Sequence, residues 1–120
     1  MRSFFIQIQA SSDLAIPLDV SFEDLLAALE RLPRMFVEMD GSWVWRGDSA
    51  ERVEGWQLDG MVYDHLGKVR YLELKGNCEP GMWRQLLSCL RWPEQTLLVH
   101  HVDAGQFETL EVFEQSYIGN

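Results

Sequence analysis

The chain has 120 residues, 47% apolar and 24% charged, with ten Lys plus Arg against nineteen Asp plus Glu and a formal net charge of −9. These totals exclude a disordered chain and leave room for one hydrophobic core, so residues 1–120 read as a single domain. The acidic balance argues against nucleic acid and anionic membrane surfaces as partners, because both are held mainly through Lys and Arg.

The first ten residues, MRSFFIQIQA, contain no apolar run long enough for a signal segment, and no stretch is apolar enough to span a bilayer. Phe4, Ile6 and Ile8 alternate with Phe5, Gln7 and Gln9, which predicts a first strand. Residues 11–20 contain Pro17 and form a connection. Ser21 is placed to cap a helix whose stripe is Phe22, Leu25, Leu26, Leu29 and Leu32, with Pro33 ending it.

MFVEMDGSWVWR follows. Asp40-Gly41 between apolar runs predicts a tight hairpin with a loop of about two residues. In that register Phe36, Trp43 and Trp45 share one face, and Val37, Met39 and Val44 share the other. A hairpin that is apolar on both faces must bury both or display one. Phe36, Trp43 and Trp45 are therefore the candidate binding residues. The alternative is that Trp43 and Trp45 close one end of the core beneath a polar loop spanning Arg46–Gly55.

WQLDGMVYD and VRYLELKG form the next two strands, joined through His65-Leu66-Gly67-Lys68. D-x-x-G-K predicts a type I turn with a glycine bulge, setting Asp64 opposite Lys68, Asp59 opposite Glu73 and Gln57 opposite Lys75. Leu58, Val62, Leu72 and Leu74 make the opposite, core-facing side. Pro80 opens a second helix with the stripe Met82, Trp83, Leu86, Leu87 and Leu90, ended by Trp92-Pro93. TLLVHHV (96–102) and Phe107 to Phe113 read as two further strands. His100 and His101, as strand neighbours, point to opposite faces and cannot chelate one ion together. Cys78 and Cys89 are too few for a disulfide framework and read as free thiols of a reducing compartment, so a soluble, cytoplasmic protein is expected.

The expected fold is α+β with two layers. Its order is β-α-β-β-β-β-α-β-β, its sheet is largely antiparallel, and both helices pack on one face.

Two carboxylates directly opposite on a sheet repel, and a divalent cation removes that penalty. Asp59, Glu73 and Lys75 in this order resemble the PD-(D/E)xK phosphodiesterase superfamily, with Asp59 on one strand and Glu73-x-Lys75 on the next. Leu58 stands where that pattern carries proline. The resemblance implies metal-dependent nucleic-acid cleavage with Mg²⁺ or Mn²⁺. Asp59 and Glu73 would be ligands, Lys75 would sit near the attacking water, and Glu23 or Glu30 would be a further ligand. Without a metal, Gln57, Asp59, Tyr71, Glu73 and Lys75 line a solvated sheet face on which Lys75 screens the acids. A one-residue shift at Asp59-Gly60 would separate the two acids.

No nucleophile or phosphate-loop motif is present. The favoured reading is a non-catalytic binding or protein-interaction module that uses the aromatic hairpin and the open sheet face, with a protein or a small molecule as its partner. A homodimer through that face is compatible with it. The metal-dependent phosphodiesterase is the alternative.

Overall fold

The structure is a computed structural model that describes residues 2–47 and 55–119. The expected loop Arg46–Gly55 lies for the most part outside the described residues. Elements follow in the order β1 (Phe4–Gln9), α1 (Phe22–Glu30), β2 (Met35–Val37), β3 (Ser42–Arg46), β4 (Gln57–His65) and β5 (Lys68–Gly76). The chain continues with α2 (Pro80–Cys89), β6 (Leu98–His101), β7 (Gln106–Thr109) and α3 (Leu110–Tyr117). The fold is α+β, as the pattern predicts. One seven-stranded antiparallel sheet runs β2-β3-β4-β5-β1-β6-β7.

Alternation sorts the sheet's two faces. Phe4, Ile6, Ile8, Leu58, Val62, Leu72, Leu74 and Val99 point to the buried side and are almost fully enclosed. Leu25 and Leu29 of α1, Trp83, Leu86 and Leu87 of α2, and Leu110 and Phe113 of α3 join the same core. The rings of Phe4, Trp83 and Phe113 meet edge-on or tilted at centroid distances of 5.1 to 5.9 Å, which ties α2 and α3 to β1. The local helix signals operate as expected. Ser21 Oγ accepts from the Asp24 amide at 3.1 Å, and Pro80 stands in the first turn of α2.

Three expectations need correction. The first is a third helix. The run from Phe107 to Phe113 does not stay extended, because Thr109 Oγ1 accepts from the Val112 amide at 3.2 Å and starts α3. Leu110, Phe113 and Tyr117 then recur at helical spacing and face the core.

The other two corrections are the hairpin registers. The β2–β3 loop has three residues between the paired Glu38 and Ser42, with the Gly41 amide on the Glu38 carbonyl at 3.1 Å and Gly41 at φ 99°. This is a type I turn closed by a left-handed glycine. Met35 now faces Trp45, Phe36 faces Val44 and Val37 faces Trp43. A slip of one residue reverses which side a chain shows. Phe36 thus parts company with the two tryptophans.

The β4–β5 loop is the tight one. Leu66 and Gly67 both have positive φ, 54° and 82°, and His65 pairs with Lys68. A bulge between Tyr63 and Asp64 then inserts Arg70. The two changes add to a two-residue shift. Faces are preserved and partners are not: Asp59 faces Lys75, and Glu73 faces Met61.

Candidate functional site

All three helices cover one face of the sheet. Among the described residues no helix lies on the other, and that bare face is the candidate site. Its side chains run in rows across the strands. One row is Phe36, Val44, Asp59, Lys75 and Phe5. The next is Ser42, Met61, Glu73, Gln7, His100 and Phe107. A third contains Tyr63, Tyr71, Gln9 and Leu98, of which Gln9 is buried.

The aromatic residues on this face are ordered by contact. Tyr63 stacks on Tyr71 at 4.6 Å between ring centroids, and His100 stacks on Phe107 at 4.5 Å. Lys75 Nζ lies 5.4 Å above the Phe5 ring, within cation–π range. Phe36 is 63% exposed, Phe107 44% and Tyr63 38%. The polar residues form a cross-strand relay. Gln7 Nε2 donates to Glu73 Oε1 at 3.3 Å, and Gln7 Oε1 lies 3.2 Å from His100 Nδ1. Burial pushes the Tyr71 hydroxyl's pKa up, and the neighbouring Tyr63 and Glu73 add to the shift.

Asp59, Glu73 and Lys75 share this face, as alternation requires, but the two acids are not opposed. They sit diagonally, at roughly 7–8 Å by sheet geometry. Asp59 has Lys75 across from it and takes a hydrogen bond from Gln57 Nε2 at 2.9 Å. The directly opposed acid pair whose conflict a divalent cation would relieve is therefore not formed. No group of three or more His, Cys, Asp or Glu suited to a metal ion occurs among the described residues.

The tryptophans of the hairpin are core residues. Trp43 and Trp45 are 2% and 0% exposed, and Trp45 Nε1 donates to the Pro33 carbonyl at 2.8 Å. Trp56 meets Trp45 edge-on at 4.9 Å. Of Phe36, Trp43 and Trp45, only Phe36 belongs to the accessible face. Tyr71 belongs to it, as alternation with Glu73 and Lys75 predicts, and so do Phe5, Met61, Phe107 and Tyr63, which the sequence did not single out. Parity was the signal for two of them: counting in twos from Asp59 collects Met61 and Tyr63.

His101 faces the opposite way from His100. Its Nε2 lies 2.8 Å from Glu108 Oε1, and its ring packs by Phe113 and Tyr117. No described helix is long and apolar enough to cross a membrane. No family model, no curated protein and no solved structure matches this chain.

Proposed function

We propose that the protein is a non-catalytic binding module that docks a protein partner on the helix-free face of its sheet. The observation that carries this reading is the group of aromatic residues on that face, with the Tyr63–Tyr71 and His100–Phe107 stacks and Phe36 63% exposed. Size supports it. Six inter-strand gaps of about 4.8 Å make a face about 29 Å wide, and five residues of strand add about 17 Å in the other direction. That is roughly 500 Å² in projection, and side-chain relief brings it toward the ~800 Å² per partner of a specific interface.

Charge supports it too. Arg46 and Lys75 stand on this face beside Asp59 and Glu73, so its charges are of mixed sign. The face suits a protein surface of mixed apolar and polar character.

A photo-crosslinking residue placed at Met61 tests the reading, with one at Glu23 on the exposed side of α1 as control. The expected result is a discrete protein adduct from the Met61 position alone. The adduct's identified partner, purified and remixed, should bind Phe36→Asp at least about tenfold more weakly than wild type, as for an aromatic anchor. An adduct with a second copy would make the chain its own partner. Adducts from Glu23 alone, or equal affinity for Phe36→Asp, would overturn the reading.

A further inference from the structure

We propose that the end of the sheet between β2, β3 and β4 binds a small oxyanion, a carboxylate or phosphate carried on an apolar body. This site shares Phe36 and Arg46 with the helix-free face but does not rest on the docking of a protein there. Arg34 immediately precedes β2, and Arg46 closes β3. The Arg46 amide donates to the Arg34 carbonyl at 3.4 Å, and Arg34 Nε donates to the Arg46 carbonyl at 3.0 Å. The hairpin register, continued by one residue, thus sets two arginines side by side.

Like charges placed across neighbouring strands repel. Neither arginine forms an ion pair with a described residue. Arg34 is also held at φ 61°, a left-handed conformation that costs a non-glycine residue energy and is found at ligand clamps. The turn that imposes it is anchored by the bond from Trp45 to Pro33. An oxyanion bridging both guanidinium groups converts the repulsion into charge-assisted hydrogen bonds.

A cavity of about 630 Å³ opens at this position, within the range of small-molecule sites. Arg34, Arg46, Phe36, Trp56, Gln57 and Asn77 line it, and no carboxylate is among the described lining residues. In a chain of net charge −9, a cavity whose described lining carries two guanidinium groups and no acid is a local concentration of positive charge. The exposed Phe36 ring supplies the platform for the apolar body.

The test is a set of NMR titrations of the whole chain with phenyl phosphate, benzoate, inorganic phosphate and, as a cationic control, benzamidine. Saturable shifts at the Arg46 amide and the Trp56 indole are expected from phenyl phosphate or benzoate, and the tighter of the two identifies the headgroup. Inorganic phosphate should bind at least about tenfold more weakly, since it lacks the apolar body. Arg46→Gln should weaken the aromatic anion about tenfold or more, as loss of a charge-assisted contact does. Arg46 is exposed, so this variant retains the fold, and Arg46→Lys should recover part of the affinity. Linear, unsaturated shifts, equal binding by Arg46→Gln, equal binding of inorganic phosphate, or benzamidine at the same residues would each overturn the proposal.

Discussion

The indole of Trp43 occupies the space where a Cβ on Gly60 would stand. The two residues are paired across β3 and β4, and a methyl group at Gly60 would come within 2.0 Å of the Trp43 ring. The pairing explains how a 2%-exposed tryptophan fits beneath a continuous sheet: its neighbour has no side chain. It also explains why the tryptophan hairpin is part of the core and not a display surface.

Gly60→Ala should therefore destabilise the fold by about 3 kcal/mol, the upper range for overpacking a well-filled core. Gly81→Ala is the contrast. That glycine lies in α2 with nothing near its missing Cβ, so the change should be neutral or stabilise by about 0.5 kcal/mol through helix propensity. Urea unfolding of the two variants checks both. A Gly60→Ala midpoint equal to wild type would contradict the close approach.

The cross-strand pairing of Asp59 with Lys75 makes a second prediction. Calorimetric titration with Mg²⁺ or Mn²⁺ in the millimolar range should show no saturable binding, and Asp59→Asn should give the same trace. Asp59 stands across from Lys75 and accepts from the Gln57 amide, and Glu73 accepts from the Gln7 amide, so the two acids do not converge on one point. Saturable binding that Asp59→Asn abolishes would restore metal-dependent phosphodiester cleavage as the leading activity.

The two thiols set a pH dependence. Burial pushes Cys78 up to about 12 and Cys89 up to about 11. An unfolded thiol loses its proton near about 8.5. Between that pH and the folded values, the folded chain holds protons that the unfolded chain has released, so stability falls as pH rises. Below about pH 8 the contribution is present in full and the curve is flat on this account. Urea midpoints at rising pH should fall less steeply in a Cys78→Ala, Cys89→Ala chain than in wild type. A disulfide-exchange reagent at mildly alkaline pH should label the native thiols much more slowly than the denatured ones. Equal slopes, or equal labelling rates, would contradict the burial of these groups.

The hairpins show where sequence reasoning ran out. Asp40-Gly41 promised the tight turn, and Asp64 through Lys68 promised the looser one with its glycine bulge. The structure has the reverse. Both segments contain glycine at a position of positive φ, and both loop lengths use such a glycine. What selects between them is packing: Trp43 and Trp45 must both reach the core, and a three-residue loop at Met39-Asp40-Gly41 lets Met35 and Val37 point inward with them. α3 is a comparable case. Phe107, Thr109, Glu111 and Phe113 alternate as a strand would, yet Thr109 caps a helix because Phe113 and Tyr117 must both reach Phe4.

Alternation along β1, β4 and β5 determined, with no structure in hand, which side chains enter the core and which acids and bases remain outside. Side-chain direction has a period of two, so even the two-residue error in pairing left every one of these on its correct side. Only the tertiary structure decided who faces whom: Asp59 with Lys75 instead of Glu73, Phe36 apart from the tryptophans, and Arg34 beside Arg46. Partner identity depends on loop length and bulges, and those are chosen by the volume that distant side chains must fill.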